Sequence, residues 1–214
     1  MAGTSKIEIK LDGENLAFDA SSSFGAVAEQ IKSSLAPHRV VTEIFVDGRS
    51  VNMEEEEMMI LQSMKDLGQL AFKSREVGPL LKDSLQLAPQ ICEALLMDCD
   101  DISGLLENSE FLKANDRIAE LSSLVDWLLQ MVASIHSYGD DTSRNFEYEG
   151  QSLTDTVRRM ESSLTQLHTQ LQNKDYVAFK AVLQGEFKIE LGVWQKMFTE
   201  VAKNWTPRIL VRAS

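Results

Sequence analysis

The chain has 214 residues, 43% hydrophobic and 25% charged with only four prolines, which is too apolar for a segment that stays disordered. Its 21 Lys and Arg against 33 Asp and Glu give a net charge of −12, which argues against nucleic acid or an anionic membrane as a partner, since both attract clustered basic side chains. The acidity is spread along the chain: residues 1–77 carry 8 basic and 13 acidic side chains, and residues 78–214 carry 13 and 20.

The opening MAGTSKIEIKLDG has no apolar core of signal-peptide length. No stretch approaches the ~18 consecutive apolar residues of a membrane-spanning helix, so the expected location is the cytoplasm, with no membrane partner. Cys92 and Cys99 stand seven apart in a helical pattern, about 10 Å along a helix axis. That is too far for a disulfide within one straight helix, so reduced, buried thiols are expected.

In KIEIKL, Ile7, Ile9 and Leu11 alternate with charged residues, the period of a half-buried strand. DGEN turns it and LAFDA returns. SSSFGAVAEQIKSSLAPHR then offers serine caps and helical spacing at Phe24, Val27, Ile31 and Leu35, ending at Pro37. VVTEIFV is a third strand, turned by DGR, with SV beginning a short return. Glu54–Glu57 follow and open one or two helical turns in MMILQSMKDLG, where carboxylates complement the positive helix end. QLAFKS is the last strand.

This order of strands and helix within ~75 residues resembles the β-grasp fold of ubiquitin and the small sulfur-carrier proteins. Those proteins act through a free C-terminal Gly-Gly, whereas QLAFKSREVGPLL runs straight on here, so carrier chemistry is not implied.

From Gly78 onward the pattern is helical. GPLLKDSLQLAPQICEALLMDCDD holds Pro89, expected to kink or split it. The next helix carries Ile118, Leu121, Val125, Leu128, Val132 and Ile135 on one stripe, widened by Leu124 and Leu129. After the loop GDDTSRNFEYEG, the residues Leu153, Val157, Met160, Leu164, Leu167 and Leu171 repeat at steps of four and three, the heptad of a packing seam. A last stripe runs Phe179, Leu183, Phe187, Leu191, Trp194, Phe198, Val201, Trp205. The predicted fold class is therefore α+β: a β-grasp-like domain over 1–77, then an antiparallel bundle of about four helices over 78–214. The bundle resembles bacterial four-helix export chaperones such as the one that holds flagellin. DYVAFKAVLQGEFKIELGVWQKMF is also similar to the last helix of uncharacterised bacterial proteins that pair a small β domain with a bundle.

No phosphate-cradling loop, nucleophile elbow, HExxH or CxxC occurs. His38, His136 and His168 lie in different elements, so neither a metal nor a cofactor is expected, and no catalytic residue is assigned. Asp98, Asp100 and Asp101 lack calcium-loop spacing and read as a helix end and the next cap. Tyr138, Phe146 and Tyr148 in the loop either meet a partner or fold over the bundle end. Met53, Met58, Met59 and Met64 either face a partner or fill a seam between the domains. The tail RILVR either adds as a strand or packs and frays. The expected function is a non-enzymatic protein-interaction module, adaptor or export-chaperone-like, with another protein as partner. The alternatives are a ligand-binding protein or enzyme with a pocket at the junction of the two domains, and a homodimer through residues 153–171.

Overall fold

Alternation in the first segment becomes strand in the computed structural model, which describes residues 6–208. β1 (Lys6–Leu11) pairs antiparallel with β2 (Glu14–Asp19) through a two-residue turn. Asp12 at φ 51° and Gly13 at φ 93° make that turn left-handed at both positions, the geometry that fits the twist of a hairpin. α1 (Phe24–Ser34) starts where the Ser23 hydroxyl accepts the Ala26 N–H, and it buries Phe24, Val27, Ala28 and Ile31. β3 (Arg39–Val46) turns at Asp47 and Gly48, both again left-handed, into the two-residue β4 (Arg49–Ser50).

α2 (Met53–Met59) opens on the glutamates as expected but stops at Met59 instead of running on through MMILQSMKDL. Asn52 caps it by accepting the Glu55 N–H, and the Glu55 carboxylate accepts the Asn52 N–H, so the glutamates lie within the helix and close a reciprocal cap. A short 3-10 turn (Met64–Asp66) then leads to β5 (Leu70–Glu76). The sheet order is β2-β1-β5-β3-β4, with β1 parallel to β5 and the other neighbours antiparallel. Its core is Ile9, Phe24, Val27, Ile31, Ile44, Met64, Leu70 and Phe72, and the rings of Phe24 and Phe72 stack at 6.2 Å. Met59 and Met64 are buried in this core, while Met53 and Met58 are exposed. Half of the methionine cluster is thus ordinary packing within one unit.

The chain divides into two units at residue 77, and the second is helical. α3 (Val77–Glu107) runs unbroken through Pro89 and through Asp98, Asp100 and Asp101. Two expectations are corrected there. Pro89 does not split the helix, and the aspartates are not a helix end: Leu85, Ala88, Cys92, Leu95, Cys99 and Ile102 keep one buried stripe on both sides of each. Burial of that stripe outweighs one missing amide. Pro79 sits in the first turn, where its missing N–H costs nothing.

α4 (Phe111–Tyr138) buries Ala114, Leu121, Val125, Leu128, Met131, Val132 and Ile135. An 18-residue window of α4 has a mean hydropathy of 1.4, so by length and composition this helix is long and apolar enough to cross a membrane, with 33% of the window buried. Counting only unbroken apolar runs misses this, because Ser122, Ser123, Asp126, Gln130 and Ser134 interrupt the run while the average stays apolar.

The expected loop is partly ordered. It holds α5 (Asp141–Arg144), capped by Asp140, and a hairpin of β6 (Glu147–Tyr148) and β7 (Gln151–Ser152). Tyr138, Phe146 and Tyr148 are half-buried.

α6 (Leu153–Gln172) starts at the Ser152 cap, whose hydroxyl accepts the Asp155 N–H. α7 (Tyr176–Val182), a π turn (Leu183–Phe187) and α8 (Lys188–Asn204) follow as one continuous helical run. Beyond it, Thr206–Arg208 lie along Tyr138–Asp140: the Asp140 N–H donates to the Thr206 carbonyl and the Arg208 N–H to the Tyr138 carbonyl. The rest of the RILVR tail, from Ile209, lies outside the described residues.

Candidate functional site

The seams of the helical unit differ in how they are closed. α3 meets the α7–α8 run through polar contacts. Lys188 reaches Asp100 at 2.6 Å, Lys180 reaches Glu107 at 2.6 Å, and the Gln184 amide donates to the Cys99 carbonyl and to the Ser103 hydroxyl, both at 2.8 Å. Arg117 joins α4 to α3 at Asp98, 3.2 Å, and at Asp101. α6 is held to α8 by the Trp194 indole N–H on the Thr156 carbonyl and by Arg159 beside Glu190, Nε to Oε2 3.2 Å. Arg159 also donates to the Gln151 side chain.

The π turn explains one of these contacts. The stripe Phe179, Leu183, Phe187, Leu191 advances in steps of four, and on an ideal helix each such step turns the stripe by about 40°. The wider π turn absorbs the drift. All four side chains are buried as a result, and Gln184 is turned toward α3.

Between α4 and α6, which lie close to one another, the seam holds two hollows. Toward one end lies a cavity of about 80 Å³ lined by Ile102, Ile118, Leu121, Ser122, Leu164, Leu167, His168, Leu171, Phe179 and Leu183. Toward the other end a groove of about 350 Å³ is lined by Leu129, Val132, Ala133, His136, Thr154, Val157 and Glu161. The early part of α4 thus faces the late part of α6, and the late part of α4 faces the early part of α6. The two helices run antiparallel along one groove.

α6 therefore has two adjacent rows. Leu153, Thr156, Met160, Ser163 and Leu167 are buried. Thr154, Val157, Glu161, Leu164, His168 and Leu171 line the groove, at steps of three, four, three, four and three. The heptad seam of the sequence is divided between them: Leu153, Met160 and Leu167 are core, whereas Val157, Leu164 and Leu171 are only half-buried. Thr156 and Ser163, passed over in the sequence because they are polar, take the other core places at 0% and 2% exposure. The Thr156 hydroxyl is satisfied by donating to the Leu153 carbonyl at 2.7 Å. Small side chains there let α6 sit close to α8.

His136 and His168 both line the groove, at opposite ends, with the His168 Nε2 2.8 Å from the Gln172 amide. His38 lies in the N-terminal unit, where its carbonyl accepts the Val77 N–H. Among the described residues no three of His, Cys, Asp and Glu gather as a metal-holding group. Cys92 and Cys99 are free and buried in α3, and burial pushes both thiols up to about 12. The groove can exclude water from an apolar side chain and offers few polar groups to orient a small molecule. Its chemistry is that of helix packing.

No curated protein and no solved structure matches the chain. A family model described as Domain of unknown function (DUF8042) matches residues 83–197, from the first turns of α3 into α8 and across the whole groove. That is more than half of the 214 residues, and the chain belongs to this family.

Proposed function

We propose that this protein is a non-enzymatic interaction module, of adaptor or export-chaperone type, in which a β-grasp-like unit is joined to a four-helix bundle that receives another protein along α4 and α6. The β-grasp reading is supported by the strand order β2-β1-β5-β3-β4 with β1 parallel to β5 and α1 covering the sheet. The bundle reading is supported by the long helices α3, α4, α6 and the α7–α8 run, joined in part by short turns.

One observation carries the functional reading. A row with core spacing, Val157, Leu164 and Leu171, stands half-buried along an open groove whose opposite wall is equally apolar. Rows of this kind are covered when a further helix lies along them, in the helix-in-groove mode of recognition. The net charge of −12 of the chain disfavours anionic competitors.

A photoreactive amino acid placed at Val157 in cells tests this. A covalent adduct to a protein, absent when the probe is placed at the exposed Arg158, supports the reading. A probe at Val157 that reacts with water alone overturns it.

A further inference from the structure

We propose that the outward face of α2, in the N-terminal unit, docks a basic amphipathic helix of another protein. This surface is separate from the α4–α6 groove and does not rest on that reading. Met53 and Met58 of α2 are 77% and 68% exposed. Ile60 keeps helical dihedrals and the Gln62 N–H donates to the Met59 carbonyl, so the backbone turns once more and carries Leu61, 90% exposed, past Met58. Single exposed apolar side chains are ordinary on a folded surface. Three long ones along two turns form a patch, and the flexible thioethers of methionine adapt to what covers them.

Charge decides what can cover it. Successive residues of a helix point about 100° apart, so the run Glu54–Glu57 separates into two pairs. Glu55 and Glu56 lie on the side of the buried Met59 and have cations there: Glu55 meets Arg49 at 2.7 Å and closes the Asn52 cap, and Glu56 meets Lys32 at 3.6 Å. Glu54 and Glu57 are exposed and make no ion pair among the described residues. They share an outward arc of about 140° with Met53 and Met58. The patch therefore reads apolar, acidic, apolar from Met53 to Leu61, over about 12 Å at 1.5 Å per residue.

A purely apolar partner strips water from Glu54 and Glu57 and returns nothing. A second copy of the same face, or an anionic membrane, repels them. A helix with apolar side chains seven residues apart, about 10 Å, and Lys or Arg midway between them matches both halves of the pattern. Its apolar side chains cover the methionines and Leu61, while its cations give the two carboxylates charge-assisted hydrogen bonds.

The probe is a labelled alanine-based helical peptide with two leucines seven residues apart and two lysines midway between them, titrated with the full chain and read by fluorescence anisotropy. Saturable binding is expected, weakened at least about tenfold by Met58→Ser with Leu61→Ser, and likewise by Glu54→Gln with Glu57→Gln. The second pair also flattens the dependence of binding on salt. Glu93→Gln with Asp116→Asn, which removes two exposed carboxylates of the helical unit, leaves binding unchanged, and a peptide with glutamates in place of its lysines does not bind. Every substituted side chain is exposed, and thermal unfolding checks that each variant keeps its fold. A parent that does not bind the lysine peptide overturns the proposal. So does binding that is insensitive to Met58→Ser with Leu61→Ser, or that falls as far with the remote pair as with Glu54→Gln and Glu57→Gln. Self-association of the parent through Met58 and Leu61, or its attachment through them to phosphatidylcholine vesicles, gives the face a different occupant and overturns it as well.

Discussion

The Asp12 carboxylate, in the turn between β1 and β2, accepts the Ser74 N–H at 2.7 Å and the Ser74 hydroxyl at 2.6 Å, pinning the hairpin to β5 sixty-two residues on. Arg39 adds a third contact, its Nη2 3.1 Å from the same carboxylate while its Nε donates to the Ser74 hydroxyl oxygen. Burial alone raises the Asp12 carboxyl, but the Ser74 hydrogen bonds and the Arg39 charge outweigh it and hold it below its ordinary value of 3.8. A folded value below the unfolded one means that the unfolded chain binds the proton more readily. The contribution is therefore complete above about pH 4 and is lost as pH falls through the folded value.

Acid unfolding of this unit checks that sign. Asp19 and Glu55 in the same unit shift the same way, each held low chiefly by a backbone N–H, from Ser21 and Asn52 respectively. Stability is expected to fall below pH 4. Asp12→Asn, which tolerates the left-handed turn, should cost about 1–2 kcal/mol at neutral pH and flatten the acid limb. Urea midpoints at pH 7 and pH 3.5 measure both, and an acid limb as steep as the parent's refutes the assignment.

Leu167 and Leu164 line the same cavity from α6 but differ in burial. Leu167 is 6% exposed and Leu164 half-buried. Leu167→Ala is expected to cost about 2–4 kcal/mol, and Leu164→Ala about 1 kcal/mol or less in the dilute protein. Equal losses in chemical denaturation would place both in the same core.

The small buried residues of α6 give the complementary test. Ser163→Ala should be nearly neutral, whereas Ser163→Leu should lose about 1–3 kcal/mol, because three further carbon atoms must enter a filled seam. Thermal unfolding of the two variants reads the difference, and a Leu variant as stable as the parent contradicts the packing.

Cys92 and Cys99 should be inert in the folded protein. With both thiols raised to about 12 by burial, a thiol reagent at neutral pH should find almost no thiolate and should label only as the helical unit opens. Labelling rates that rise with denaturant in step with unfolding are expected. Fast labelling in buffer would show that α3 exposes them.

Gln184→Ala removes the amide that the π turn directs at Cys99 and Ser103. A loss of about 1–2 kcal/mol is expected, and Ser103→Ala in the same background should add less than it costs alone, since the two share one contact. Additive losses would mean that the two do not act together.

Local pattern reached far into this fold. The strand alternation of KIEIKL, the Asp-Gly turns, the Ser23 cap and the long stripe from Phe179 to Trp205 are all written at spacings of two, three or four residues. Each is decided by neighbours along the chain, where periodicity is a direct record of which face is buried. The three steps of four at Phe179, Leu183, Phe187 and Leu191 even carried the π turn, although only as a drift in the stripe.

What failed was whatever depends on the partner of a face. Pro89 read as a kink or a split and the Asp98–Asp101 cluster as a helix end, but α3 continues unbroken through both because a stripe continuous from Leu85 to Ile102 is buried by other helices. The heptad of α6 read as one seam. The tertiary structure gave half of it to the core together with Thr156 and Ser163, and left Val157, Leu164 and Leu171 beside a groove. A sequence fixes which side chains share a face of a helix. How closely the neighbouring helix approaches that face is set by the bulk of side chains on every other seam, and so only the packed structure decided which half of the α6 heptad stays half-buried beside α4.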